Sequence, residues 1–550
     1  MKKIILSTLL LCFISLAFAG PKYDATYKLI SKSYTLNADG SMDYRYRKEL
    51  QLHTKSAFDK YGETLIWYNP DFQTLTINEA YTIRKDGSKV TTPENAFNPS
   101  LPASCTDCER FNVIREMVVT HTALEYDAII VLDYTIHSNN FFMKDLYERI
   151  NLYEDAPIDR YEIEASVPGD LIITENINGE SNERTSAQKY TSVWTNLTQR
   201  PSDAYLQPNA LPYIILRTPG TPNGVIEHLT NQNAFTVSDA TPFQETISQL
   251  TEGKTTTMQK VIALRNYIAD NIHTNQVPLQ YLNYVVASPA TVWSTNCGTA
   301  LEKNRLLQVM LSALNIPSDL GLAYTYTSTE PVSLLRINAD GTTCYLSAAN
   351  KGHISLDVDK AQGRFISLTN KREQTFESHP FVNDAQANIH ISFIGGKPEA
   401  EVIMNKNNIQ SPRNHYLIPQ AIRPCSANIQ SLGNKYYQLT ISDNPYGNPI
   451  QVAYLNQSRT LPVYSARTNE SYVTQITLPA GSRWLTQPSR IERKYDKGSV
   501  VIDVAIDRQV LTLTRRLIIE EETISTKQYK KFRAMIAEWN VTPKFTFTSR

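Results

Sequence analysis

Residues 293–316, Trp-Ser-Thr-Asn-Cys-Gly-Thr-Ala-Leu-Glu-Lys-Asn-Arg-Leu-Leu-Gln-Val-Met-Leu-Ser-Ala-Leu-Asn-Ile, constrain the fold more than any other stretch. Apolar residues recur at Leu306, Val309, Met310, Ala313 and Leu314, the spacing of a helix with one wide buried face. Pro317 is expected to stop it. Cys297 and Gly298 stand just before the helix. A thiol at a helix N-terminus is held toward its thiolate by free N–H groups and the macrodipole. Cys297 therefore has two readings, a reactive thiol or a small buried hydrophobe.

The stretch resembles the nucleophile helix of the bacterial transglutaminase-like family, whose pattern runs Gly-Asp-Cys-Lys-Asp-Lys-Ala-Thr-Leu-Leu and, some nine residues on, Gly-Ile. Anchored without gaps on Leu306, Leu307, Asn315 and Ile316, the pattern puts Lys303 on the second family lysine and Glu302 on the second aspartate. Thr299 takes the first aspartate and Ala300 the nucleophile position; Cys297 lies three residues too early. The family's histidine strand and its Leu-Asp-Pro-Thr strand resemble residues further on. Asp340-Gly-Thr-Thr-Cys-Tyr-Leu-Ser-Ala348 puts Ser347 at the aspartate, and counting back puts Val332 or Ser333 at the histidine. Gln362-Gly-Arg364 matches the tail expected after that strand. A competing register takes His353 as the histidine, and it ends on residues 363–370 without a terminal carboxylate. The resemblance implies a triad degenerate at Ala300, Ser333 and Ser347, with Cys297 and His353 as fallback candidates.

Export is expected from the first residues. Lys2 and Lys3 precede an apolar run over 4–16, and Ala17-Phe-Ala19 offers a small-x-small cleavage site. The run is too short to span a bilayer, and no later segment is long and apolar enough to do so. Cleavage near Ala19 would release a periplasmic or extracellular protein. Lys plus Arg equals Asp plus Glu at 54 each, which argues against a nucleic-acid binder. Cys105, Cys108, Cys297, Cys344 and Cys425 remain, an odd number that leaves at least one thiol unpaired in an oxidising compartment. Cys105-Thr-Asp-Cys108 reads as half a zinc site, a redox pair or a local disulfide. No further ligands cluster near it in sequence and no strand-then-helix pattern surrounds it, so the local disulfide is favoured. Neither a metal nor a cofactor is expected.

The chain in order is β-rich at both ends. Strands are expected over 27–34 and 42–52 around Asp39-Gly40, and over 74–83 and 88–90 around Asp86-Gly87. Residues 113–122 and 128–136 read as a further pair of strands, and 160–167 as another ending at Pro168-Gly169. Together they predict a β-sandwich. The order of Asp39-Gly40, Tyr68-Asn-Pro70, Arg84-Lys-Asp-Gly87 and Val167-Pro-Gly169 resembles the domain of unknown function that often precedes a transglutaminase-like domain. Residues 217–224 have linker composition. Thr241-Pro-Phe-Gln244 reads as a capping box, and Met258, Val261, Arg265, Ile268 and Ile272 share one helical stripe. From 388 strands return, with hairpins at Gly395-Gly396 and Asp507-Arg508. Ser525-Thr-Lys-Gln528 should open a helix whose Tyr529, Phe532, Ile536 and Trp539 seek a sheet to dock on.

The predicted organisation is a signal peptide (1–19), an N-terminal β-sandwich (20–216), a linker (217–224), an α+β transglutaminase-like, papain-like core (225–380), and a C-terminal β domain (388–550) with a terminal helix (525–540). Two functions compete. One is a non-catalytic envelope protein that binds an unknown protein, peptide or glycan. The other is a thiol-dependent amide hydrolase or acyl transferase using Cys297. A thiol enzyme needs a base and an orienting group, and the alignment offers Ala300, Val332 or Ser333, and Ser347 in their places.

Overall fold

The computed structural model describes residues 22–139, 145–177, 180–201, 211–221, 223–325, 332–340, 342–349, 361–375, 381–410, 426–442, 459–464, 467–521 and 523–549. The expected signal peptide, His353 and Cys425 lie outside them. The protein is multidomain and β-rich. It divides into two compact units, Met1–Ser202 with Ala210–Ser238 and His273–Glu302, and Asp203–Asn209 with Asp239–Ile272 and Lys303–Arg550. Among the described residues no helix is long and apolar enough to cross a membrane.

The first unit is built on a nine-stranded sheet. Ala25–Leu36 pairs antiparallel with Met42–Leu52 across a turn in which Gly40 adopts φ 89°, the left-handed conformation that glycine takes without a Cβ penalty. Gln73–Ile83 and Lys89–Thr91 meet the same way around Gly87. Tyr161, Ile163 and Ala165 alternate inward from Ile158–Ile177, which runs parallel to Ala25–Leu36. That strand continues beyond the stop expected at Pro168-Gly169. Its register shifts between Ser166 and Asp170, so the proline, which has no N–H to donate, sits in a bulge. Residues 113–122 and 128–136 do not pair with one another. Arg115–Thr120 joins a three-stranded sheet with Glu63–Tyr68 and Phe97–Ser100, while Ile129–Ser138 lies between Met42–Leu52 and Gln73–Ile83. Ile66 and Val119 of the small sheet pack on Ala80, Leu132 and Ile136 of the large one, making two layers.

A polar cluster is buried between these strands. Lys48, 6% exposed, donates from Nζ to Thr64 Oγ1 at 2.7 Å, and Thr64 Oγ1 lies 2.8 Å from His121 Nε2. With Thr64 accepting from the ammonium, its own hydrogen is free for a neutral His121. Burial first, and the nearby Lys48 second, push the His121 imidazole from 6.5 down to about 3. The unfolded chain therefore takes a proton that the folded chain refuses between pH 6.5 and about 3. Stability should fall as pH drops through that window, by an amount on the order of a few kcal/mol. Urea midpoints against pH should show the slope, and His121→Gln should flatten it.

In the second unit, Thr257–Asn271 buries Met258, Val261, Arg265 and Ile268, with Ile272 beyond its end. Its capping box is Thr256 with Gln259. The box expected at Thr241 is absent. Thr241–Phe243 is a 3-10 turn whose first N–H is taken by Asp239, and Gln244–Thr251 follows as a separate helix. A five-stranded sheet runs Thr342–Leu346, Val332–Ala339, Ser318–Thr325, Ala361–Ser367, Glu373–Thr375.

The C-terminal strands form a six-stranded sheet including Phe381–Ile394, Lys397–Gln410, Gly498–Asp507 and Val510–Ile519, and a four-stranded sheet including Tyr436–Ser442 and Lys544–Thr548. Ile389, Ile476 and Leu513 meet Leu439 and Phe547 between them. Gly395 and Gly396, both at positive φ, turn the first hairpin, and Arg508 at φ 53° turns the second. Ser525 and Gln528 exchange backbone-to-side-chain bonds ahead of the helix Tyr529–Trp539, as the capping signal requires. Tyr529, Phe532, Ile536 and Trp539 pack against Tyr472, Tyr495, Val500, Leu517 and Ile519.

Candidate functional site

The helix recognised in the sequence is Ala300–Ala313. Thr299 caps it. Glu302 N–H reaches Thr299 Oγ1 at 3.4 Å and Glu302 Oε2 accepts Thr299 N–H at 2.7 Å, a Thr-x-x-Glu capping box. Asn315, at φ 56°, ends it in the left-handed conformation ahead of Pro317. The helix is buried on all sides rather than on one face: Glu302, Lys303 and Asn304 are fully inaccessible and Arg305 nearly so. Each of these polar residues meets a partner. Lys303 Nζ donates to Ile272 O at 2.6 Å, and Arg305 Nη1 to Gln308 Oε1 at 2.7 Å. Glu302 takes Arg110 in a two-pronged ion pair at 2.9 and 2.6 Å and accepts Ala287 N–H at 2.7 Å.

Ala300 is the first residue of this helix, where a thiolate would be best stabilised, and it carries a methyl group. One turn on, Asn304 joins the other two positions singled out in the sequence. Its Nδ2 donates to Ser333 O at 2.9 Å and Ser333 Oγ at 3.1 Å. Its Oδ1 accepts Ser347 Oγ–H at 3.2 Å and Ala348 N–H at 2.8 Å. Ser333 lies at the start of Val332–Ala339 and Ser347 directly after Thr342–Leu346, neighbouring antiparallel strands. Arg265 Nε donates to Ser347 O at 2.7 Å. The amide thus uses both donors and both acceptor sites on buried, uncharged groups of Ser333, Ser347 and Ala348. Asn304→Leu should take the donor from Ser333 Oγ and the acceptor from the Ser347 hydroxyl and Ala348 N–H, at about 1–3 kcal/mol each, read as a lower urea midpoint.

The cysteines are arranged differently from the expectation. Cys108 is bonded to Cys297, 189 residues away, and Cys105 is a buried free thiol. The local Cys105–Cys108 pair is replaced by a long-range one. The three sulfurs share one buried cluster with Phe111, Ile114 and Val277, and burial pushes the Cys105 thiol up. Cys297 precedes the helix, in a two-residue strand with Gly298 that pairs with His273–Thr274. Its strand partner is His273, whose Nε2 is 3.9 Å from Asp107 Oδ2; both side chains are largely exposed. His273 directly follows the helix Thr257–Asn271 and Ile272 in the sequence, but its nearness to Cys297 and Asp107 depends on pairing between distant segments. Cys344 lies in Thr342–Leu346. Among the described residues no group of three His, Cys, Asp or Glu side chains is placed to hold a metal ion.

Comparison with known proteins bears on this arrangement. Residues 38–199 match the family model of a domain of unknown function with a solved structure (DUF3857), and residues 434–546 that of another (DUF3858). The chain carries a DUF3857 and a DUF3858 domain. It is similar to a crystal structure of a "putative protease" from Parabacteroides distasonis, with a TM-score of 0.72 and 25% identity over 96% of this chain and 99% of that one. The multidomain β-rich fold with a transglutaminase-like core agrees with that neighbour. A "putative cysteine protease" from Cytophaga hutchinsonii (TM-score 0.20, 8% identity, 67% of this chain and 92% of that one) carries no argument. Nor does yeast LTA4 hydrolase in complex with bestatin (TM-score 0.19, 12% identity, 35% and 28%). No curated protein matches.

Proposed function

We propose that this is an exported, non-catalytic transglutaminase-like protein with a binding or scaffold role in the bacterial envelope, its ligand a protein, peptide or glycan. The observation that carries the reading is the Asn304 amide. It joins Ser333 and Ser347, at positions where the family resemblance expects histidine (Val332 or Ser333) and aspartate, through uncharged side chains. A serine hydroxyl is no general base near neutral pH, and the position expected to supply the nucleophile is Ala300. Cys297, which stands just before that helix, is held in a disulfide with Cys108. A charge-balanced exported chain of this kind uses its sheets and clefts for recognition.

A second reading has a specific observation in its favour. His273 is the strand partner of Cys297 and stands 3.9 Å from Asp107, residues of the kind a thiol site displaced from the family triad would need, and the Parabacteroides neighbour is described as a protease. Alkylation separates the two. On the reduced chain at mildly acid pH, an ordinary thiol with pKa about 8.5 reacts slowly with iodoacetamide. The proposal expects Cys297 to label no faster than a cysteine in an unstructured peptide. Rapid labelling that His273→Ala abolishes would replace it with the second reading.

A further inference from the structure

Three cysteines in one buried cluster, with two bonded and the third a thiol, make a set that can change partners without outside help. Cys105 stands three residues before Cys108, and both lie in the cluster that contains Cys297. We propose that Cys105 exchanges into the Cys108–Cys297 bond, so that the protein interconverts between a long-range and a local disulfide and releases Cys297 as a thiol. In the step, the Cys105 thiol gives up its proton and its sulfur attacks Cys108 Sγ. The Cys105–Cys108 bond forms, the Cys108–Cys297 bond breaks, and Cys297 leaves as a thiolate that takes a proton. One disulfide and one thiol stand on each side, and neither oxidant nor reductant is consumed.

The two arrangements differ in what they tie together. The Cys108–Cys297 bond links the loop over 103–111 to the segment before the Ala300–Ala313 helix; a Cys105–Cys108 bond closes a loop of two intervening residues and releases that segment. Contacts between the same regions persist without the bond. Asn275 Nδ2 donates to Ser104 O at 2.6 Å, and Arg110 holds Glu302. The released Cys297 stays beside its strand partner His273, within reach of a return attack. The charged groups around the cluster are Glu116, which with burial opposes the Cys105 thiolate, Asp107 facing His273, and the Arg110–Glu302 pair. Exchange should therefore be slow at neutral pH and quicken as pH rises, because only the thiolate attacks.

The inference does not depend on whether the chain is catalytic, and its test reads bonding rather than turnover. Native full-length chain is incubated without added thiol at pH 7 and pH 9, quenched by alkylation in denaturant, and mapped by peptide mass spectrometry. The expected result is first-order transfer of the label from Cys105 to Cys297, with the Cys105–Cys108 peptide rising in step, at least tenfold faster at pH 9, and at a rate independent of protein concentration. Cys105→Ser should keep the Cys108–Cys297 bond and an unlabelled Cys297 at every time point. Cys297→Ser, which needs no exchange, should show the Cys105–Cys108 bond from the start. The inference is overturned if Cys297 in the unsubstituted chain never becomes alkylatable, or becomes so equally in Cys105→Ser through Cys344 or Cys425. Two free thiols at 105 and 108 in air-oxidised Cys297→Ser overturn it as well.

Discussion

Trp539→Ala is expected to cost about 3–5 kcal/mol, the usual range for removing a large aromatic from a core. Trp539 is 2% exposed, its ring lies 5.9 Å from that of Tyr472, and the Arg515 guanidinium sits 4.4 Å above it. The same arginine donates to Trp539 O, so the residue anchors the end of the helix Tyr529–Trp539 by side chain and backbone together. Truncation would leave a cavity between the helix and the six-stranded sheet and strand the Arg515 charge, 3% exposed, without its aromatic cover. A melting temperature lowered by several degrees, with near-UV ellipticity otherwise kept, is the expected readout. An unchanged melt would mean that the helix contributes nothing to the core it covers.

Reducing the Cys108–Cys297 bond is the second large effect, expected to destabilise the first unit by about 2–5 kcal/mol. Its sequence separation of 189 places it among bonds that most restrict the unfolded chain. Urea unfolding with and without reductant, compared with Cys297→Ser, measures it. Equal midpoints would mean that the Arg110–Glu302 pair and the Asn275 bond hold the segments together alone.

What could be read in the sequence was local. The turns at Gly40 and Gly87, the hairpins at Gly395-Gly396 and Asp507-Arg508, and the Ser525-Thr-Lys-Gln528 start of the last helix follow from rules spanning a few residues, and the structure has them. The nucleophile-like helix was found from its apolar spacing. Its polar side escaped because periodicity assigns Glu302, Lys303 and Asn304 to solvent, whereas distant partners bury all three. Asn304 carried a weak signal: it stands one turn after Ala300, on a helix otherwise rich in apolar residues. Cysteine pairing was not legible at all. Spacing favours the near neighbour Cys105, but partner choice is decided by which segments the sheets bring together, and these bring residues 103–111 to 297. Closeness of His273 to Asp107 was hidden for the same reason.

If the chain is non-catalytic, as proposed, it should turn over neither peptide bonds nor glutamine side chains. The fully reduced chain and its Cys297→Ala variant are incubated with a mixture of unfolded proteins and free amines, and new peptide termini and amine-linked glutamines are counted by mass spectrometry. Both chains should give the same background at every pH from 5 to 9. Products that accumulate with the unsubstituted chain and vanish with Cys297→Ala would contradict it.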